Sequence, residues 1–305
     1  MTSRREFLVS AALGGAAVAA PAAKDRISLA AWSINRSFFV TRRWKNLDLP
    51  RICREEFGIG AIEFVNQFFE NPMMGYLNKL KQAGKEYDVE FVRIMVDDEG
   101  DMAAVDRNTR MTAARAHRKW VDIAHYLGCT DIRCNMRGGP REWKTDKDLV
   151  KRAAESFRDL LEYARPLGMN IIIENHGGSS SDPDVLVALM KEVNDPRFGT
   201  LPDFGNVNRG DDYADVLRKL LPYAKGISVK ASWAADGTHP RYDPAELIRI
   251  CLEAGFHGVW GIESSYGRGP RGQQEKLTPE QLWANEAKGV MLTKELIERT
   301  VLKRS

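Results

Sequence analysis

Asn170-Ile171-Ile172-Ile173-Glu174-Asn175-His176-Gly177-Gly178 sets three β-branched residues directly before a carboxylate, an amide, an imidazole and two glycines. An apolar run without polar alternation is what a strand buried on both faces requires. A carboxylate and an imidazole at its carboxyl end stand where parallel-sheet proteins place their chemistry. Glu174 and His176 share parity, so an extended chain aims both to one side. The plainer alternative is a strand that ends in a polar turn.

Outward from this stretch one unit recurs: a short apolar strand, a polar loop, then an amphipathic helix. Strands are expected at Ile27–Trp32, Ile59–Val65, Val89–Val96, Thr130–Met136, Asn170–Glu174, Gly199–Asp203, Gly226–Lys230 and His257–Glu263. Helices are expected near Leu49–Phe57, Thr112–Leu127, Asp146–Leu167, Asp184–Val193, Tyr213–Leu221, Pro244–Ala254 and Pro279–Val301. Eight strands alternating with helices over about 270 residues is the α/β pattern of a single (β/α)8 TIM barrel. A doubly wound open sheet competes, but it usually carries a glycine-rich phosphate turn after its first strand. Trp32-Ser33-Ile34-Asn35-Arg36 is not such a turn. No linker or composition shift divides the chain, so residues 24–305 are read as one barrel domain.

In a barrel the site lies at the strands' carboxyl ends, and parity selects the inward residues. These are Arg133 and Asn135 on strand four, Ile172, Glu174 and His176 on strand five, and Leu201 and Asp203 on strand six. Strand seven offers Ser228 and Lys230, strand eight Gly261 and Glu263, and strand two either Glu63 or Asn66 but not both. Three carboxylates, Glu174, Asp203 and Glu263, therefore converge. Like charges in a partly buried place cost several kcal/mol unless a cation neutralises them or some take protons. A divalent metal is the simplest resolution. An all-oxygen set favours Mn²⁺ or Mg²⁺, whereas His176 as a ligand admits Zn²⁺, Mn²⁺ or Co²⁺. The rival reading pairs these acids with Arg133, Lys230 or Arg93 as salt bridges at the mouth.

Bulk properties narrow the classes. The chain has 305 residues, 43% hydrophobic and 29% charged, with a formal net charge of +3 and no basic block. That is ordinary for a globular protein and gives no nucleic-acid groove. The four cysteines lack C-x-x-C spacing and are too few for a disulfide framework, so buried free thiols are expected. His117 and His125, on the helix before strand four, read as packing or surface residues. Residues 1–23 combine a charged start containing Arg4-Arg5, a short Ala/Gly-rich run and small residues after Pro21. This resembles a twin-arginine export signal, too short for a membrane span, and implies a folded, periplasmic product. The segment Arg268–Gln274 after strand eight is read as a solvated loop, or else a lid or a contact in a homo-oligomer.

The motifs resemble the sugar phosphate isomerase/epimerase group of xylose-isomerase-like barrels over essentially all of residues 24–305. They are Glu174-Asn175-His176-Gly177-Gly178, the run Asn194 to Asn206 that ends Leu201-Pro202-Asp203-Phe204-Gly205-Asn206, and Gly261-Ile262-Glu263. The resemblance implies a metal held by a Glu of strand five, an Asp of strand six, a His of strand seven and a Glu of strand eight. Carried over, these are Glu174, Asp203, Ser228 and Glu263. Strand seven departs, because Ser228 stands where the family has a His two residues before a Lys. Asn206 likewise stands where the family has a His three residues after the strand-six Asp. Serine is a poor metal ligand, so the expected set contracts to Glu174, Asp203 and Glu263, with His176 or water filling in. ENHGG, LPDFGN and S-x-K together with the export signal read as a separate exported branch.

What the resemblance implies is proton transfer next to a sugar carbonyl, with metal polarisation and a pair of carboxylates. Glu174 and Glu263 become the acid/base pair, and Asp203 anchors the cation. Lys230 or His176 offsets charge on the oxygen, while Trp32, Arg133, Asn135 and Asn206 contact the substrate. Trp32 serves equally well as an apolar plug. Phosphorylated sugars are cytoplasmic, so an exported enzyme is expected to meet free sugars, keto-sugars or glycosides. The same arrangement can run β-elimination from a 3-keto-glycoside, and a non-catalytic sugar-binding barrel is a third reading. An apurinic-site endonuclease needs a histidine-rich zinc cluster, and only five histidines are present in the whole chain.

Overall fold

The computed structural model describes residues 24–138, 143–267 and 277–304. The segment read as an export signal, 1–23, and the whole Arg268–Gln274 loop, within 268–276, lie outside these described residues. The strands are β1 (Arg26–Ala30), β2 (Ala61–Val65), β3 (Glu90–Met95), β4 (Asp131–Cys134), β5 (Asn170–Glu174), β6 (Phe198–Leu201), β7 (Ile227–Trp233) and β8 (Val259–Tyr266). They form one parallel sheet in the order β6-β5-β4-β3-β2-β1-β8-β7. Parallel bridges Thr200↔Ala224 and Asp203↔Ser228 join the two edge strands, helped by a 2.9 Å bond from Ser228 N–H to the Pro202 carbonyl. The sheet is thus closed, and the chain is a (β/α)8 barrel.

The helices are α1 (Asn35–Phe39), α2 (Leu49–Arg51), α3 (Met74–Glu86), α4 (Arg107–Leu127), α5 (Leu149–Ala164), α6 (Pro183–Val193), α7 (Tyr213–Leu220), α8 (Pro244–Glu253) and α9 (Pro279–Thr300). Local chemistry starts many of them. Asp106, Asp182, Asp212, Asp243 and Thr278 each accept a backbone N–H as N-caps, and Pro183, Pro244 and Pro279 follow directly in the first turn. Burial then fixes the face. On α5 the buried positions Leu149, Ala153, Phe157, Leu160, Leu161 and Ala164 recur at helical spacing. Among the described residues, no helix is long and apolar enough to cross a membrane. All four cysteines are free and buried, as expected.

Two departures from the sequence reading have physical causes. Helix α3 gave no signal because only Leu77, Leu80 and Gly84 of it are buried, and Gly75 and Gly84 are poor helix formers. Gly84 is nevertheless required, since a Cβ there would lie 2.6 Å from the Phe91 ring. Strands β7 and β8 run three residues past the expected ends at Lys230 and Glu263. Those two charges lie opposite one another in register, so they offset each other instead of ending the strands.

Inside the barrel the floor is ionic. A bulge in the β2–β3 pairing sets Glu63 abreast of Arg93. Arg93 pairs with Asp131 at 2.9 Å and approaches Glu63 at 3.8 Å, while Ser28 Oγ donates to Glu63 at 2.6 Å. All four side chains are essentially inaccessible. Room for them comes from β7 and β8, because a Cβ on Gly226 would lie 2.6 Å from Arg93 and one on Gly261 2.4 Å from Glu63. Glu63 therefore lies below the mouth. Asn66, the other residue considered for strand two, is the one at the rim.

Candidate active site

Above this floor β5, β6, β7 and β8 converge. Glu174 ends β5, Asp203 lies two residues past β6, and Lys230 faces Glu263 across the β7–β8 ladder. Oxygens of Glu174, Asp203 and Glu263 all lie within 4.8 Å of one another. The strand alternation read from the sequence delivers this. Ile171 and Ile173 pack in the main core outside the barrel, and Glu174, of the opposite parity, points inward.

Each carboxylate is held. Asp203 accepts Ser228 Oγ–H at 2.6 Å and the Gly205 N–H at 2.8 Å. Its backbone is pinned by Asn175, whose amide donates to the Asp203 carbonyl at 3.0 Å and accepts the Asp203 N–H at 2.7 Å. Glu174 accepts Asn206 Nδ2–H at 2.7 Å and faces Arg133 Nε at 3.0 Å. Glu263 Oε1 lies 2.5 Å from Lys230 Nζ, which stands 3.8 Å from Asp203 Oδ2. The acids do pair with Arg133 and Lys230, whereas Arg93 belongs to the floor.

Asp97, just past β3, is the site residue that the sequence reading missed. Its carboxylate takes Arg133 Nη1–H at 2.6 Å and also Asn135 Nδ2–H. Asn66 pins its backbone with two reciprocal 2.9 Å bonds, repeating the arrangement at Asn175 and Asp203. Arg133 thus bridges Asp97 and Glu174. The signal was an acid following an apolar strand, Val96-Asp97, the same pattern that marks Glu174.

Four carboxylates (Asp97, Glu174, Asp203, Glu263) therefore meet two cations, Arg133 and Lys230. Burial dominates the consequences. It raises the Glu174 carboxyl, with Glu263 and Asp97 adding repulsion that Arg133 and Lys230 only partly oppose. It pushes Asp203 up to about 7, again reinforced by Glu174 and Glu263. Asp97 is the exception: burial would raise it, but Arg133 overrides this and holds it below the usual range.

The remaining expected residues take varied places. His176 is exposed at the rim, and its pKa is lowered by the surrounding protein and by the cations of Arg133 and Lys230. Its backbone N–H is fixed by Ser180 Oγ at 3.1 Å. Trp32 lies in a turn just past β1, half-buried, with Phe68 at 5.5 Å and Phe39 at 6.3 Å between ring centroids. The side chains of Asn135 and Asn206 bond site carboxylates. His117 is buried with Nδ1 at 2.8 Å from the Ala113 carbonyl, and His125 is exposed on α4.

The donor set fits a hard divalent cation. Three oxygen donors come from the ends of three separate strands, positive charge is in deficit, and Glu174 Oε2 is buried with the Arg133 guanidinium at 3.0 Å.

Comparisons with known proteins bear on the scaffold. L-ribulose 3-epimerase is similar with a TM-score of 0.69 and 12% identity, covering 92% of this chain and 95% of that one. D-allulose 3-epimerase from Methylomonas sp. gives a TM-score of 0.67 and 14% identity over 92% and 99% of the two chains. The 3-keto-D-glucoside 4-epimerase from E. coli gives 0.66 and 14% over 89% and 100%. At these identities the likeness establishes the fold. No curated protein sequence matches. A family model described as xylose isomerase-like TIM barrel matches residues 54–292, which span β2 to β8 and every carboxylate of the site, and the chain belongs to that family.

Proposed function

We propose that this chain is a sugar isomerase or epimerase that moves a proton at a carbon next to a carbonyl, with a divalent cation, Mn²⁺ or Mg²⁺, held by Glu174, Asp203 and Glu263. The observation that carries the reading is the convergence of these acids within 4.8 Å at the barrel mouth. The similar fold of L-ribulose 3-epimerase and D-allulose 3-epimerase supports it. An enzyme exported on the signal read at 1–23 would work in the periplasm, so the substrate class is a non-phosphorylated sugar or keto-sugar.

When bound, the cation supplies Lewis-acid polarisation of the substrate's carbonyl and hydroxyl oxygens. The chain's own residues do the rest. Glu174 and Glu263 hold and return the proton from two sides of the sugar, and burial raises the Glu174 carboxyl, which keeps it basic enough to take the proton. Arg133 and Asn206 fix the Glu174 carboxylate, so its free lone pair has one direction. Lys230 places positive charge where oxygen becomes anionic. Trp32, backed by Phe68, covers an apolar sugar face.

The test is solvent exchange. Protein reconstituted with Mn²⁺ is incubated in D₂O with free ketoses and 3-keto-glycosides, and recovered sugars are read by NMR. One deuterium should enter at the carbon beside the carbonyl, and Glu174→Gln and Glu263→Gln should each abolish its entry. Sugar-induced stabilisation without deuterium in any substrate would refute turnover and leave a binding protein. Aglycone release without exchange would replace the reaction by β-elimination.

A further inference from the structure

The ammonium of Lys230 stands among the oxygens proposed for the metal. It lies 2.5 Å from Glu263 Oε1 and 3.8 Å from Asp203 Oδ2, so it touches two of the three candidate ligands. Its route there is built into the fold. A Cβ on Gly205 would lie 2.5 Å from Lys230 Cδ and 2.9 Å from Cγ, so only glycine lets the stem pass without displacement. Tyr242 donates its hydroxyl to the Lys230 carbonyl and holds the strand beneath the side chain. Ser228 adds to the same end. Its hydroxyl gives its proton to Asp203 Oδ2 at 2.6 Å, so it acts as a donor at the oxygen and not as a ligand beside it. Gly205 N–H occupies Oδ1. Lys230 thus stands as a cation between Glu263 and Asp203, and both Asp203 oxygens already accept hydrogen bonds.

We propose that Lys230 is a resident counter-ion that competes with the divalent cation for Glu263 and Asp203, so that metal loading and release of the ammonium toward the substrate are one event. This rests on the metal-dependent reading above. An ammonium and a divalent cation share carboxylates within about 4 Å only against their mutual repulsion, so each binds at the other's expense. A released Lys230 remains on β7 at the mouth, where its charge can serve a substrate oxygen. The competition also gives Ser228 a consequence, because its donated proton strengthens the Asp203 end of the site that Lys230 approaches.

The experiment measures Mn²⁺ affinity by calorimetry on the chelator-stripped full chain. Three forms are compared: the parent protein, Lys230→Met and Gly205→Ala. Lys230→Met should bind Mn²⁺ about tenfold tighter or better, and its metal-free melting temperature should fall and recover on adding Mn²⁺. Gly205→Ala keeps the charge but obstructs the stem, and should shift Mn²⁺ affinity in the same direction. It also carries the test if Lys230→Met fails to fold. Equal or weaker Mn²⁺ binding in both variants overturns the competition and leaves the metal-dependent reading standing. Mn²⁺ binding by none of the three overturns both. Binding by the variants alone supports the competition in its strongest form.

Discussion

Replacing Arg133 by Met removes the cation that Asp97 and Glu174 share. Arg133 is 1% exposed, 2.6 Å from Asp97 and 3.0 Å from Glu174, so neither water nor another side chain substitutes readily. At 3 Å and an effective dielectric near 20, each direct attraction is on the order of 5 kcal/mol, most of it offset by the cost of desolvating the pair. Breaking a buried pair by removing one partner costs about 3–5 kcal/mol, because the orphaned charge remains. With a urea slope of roughly 3 kcal/mol/M for a chain of this size, the midpoint should fall by about 1–1.7 M. Glu174→Gln added to Arg133→Met neutralises the orphan and should recover about 2 kcal/mol, a coupling that distant sites do not show.

The sign with pH follows. Without Arg133 the folded Glu174 carboxyl rises further above its unfolded value. The folded state then binds the extra proton, and stability is lost as pH rises through that window. The Arg133→Met deficit should therefore be smaller at pH 5 than at pH 8, measured by urea unfolding of metal-free protein. Additive effects in the double variant, or a pH-independent deficit, would refute the shared-cation account.

Two further perturbations test how the scaffold holds its parts. Asn175→Ala removes both bonds that pin the Asp203 backbone and should weaken Mn²⁺ binding about tenfold while costing roughly 1–3 kcal/mol of stability, whereas unchanged Mn²⁺ calorimetry would show that β6 alone aims the acid. At the barrel's other end, burial would raise the Asp25 carboxyl, but Trp260 at 2.9 Å, His257 at 2.8 Å and the Gly258 N–H at 2.9 Å outweigh it and hold it below the usual range. Its stabilisation is present above the unfolded value near 4 and lost as pH falls through the lower folded one, so Asp25→Asn should cost about 1 kcal/mol at pH 7 and converge with the parent near pH 2 in tryptophan-fluorescence unfolding curves.

The residues that were legible in the sequence are those whose placement follows from one strand. Alternation along Asn170–Glu174 sends Glu174 inward whatever its neighbours do, and the same rule places Arg133, Asp203, Lys230 and Glu263. Helices α4 to α9 announced themselves by apolar spacing. What stayed hidden depends on the relation between strands. The height of Glu63 is set by the β2–β3 bulge and by Gly226 and Gly261, two glycines far along the chain. Asp97 follows an apolar strand as Glu174 does, but what makes it part of the site is that Asn66 pins it and Arg133 reaches across to it.

Ser228 shows how a local reading and a relational one diverge. Taken alone, a serine where the family resemblance implies a histidine reads as a lost ligand and nothing more. In the folded chain the smaller side chain instead donates to Asp203, and Gly205 opens the path by which Lys230 reaches Glu263. The substitution, the glycine and the lysine thus serve one electrostatic purpose. Four acids with two fixed cations cannot all stay ionised in a buried place without a further positive charge or a proton. Burial, reinforced by Glu174 and Glu263, pushes Asp203 up to about 7, and burial raises Glu174 as well, so the deficit is shared by both acids. A divalent cation would remove the deficit, and the affinity it shows is then set by how firmly Lys230 holds its place.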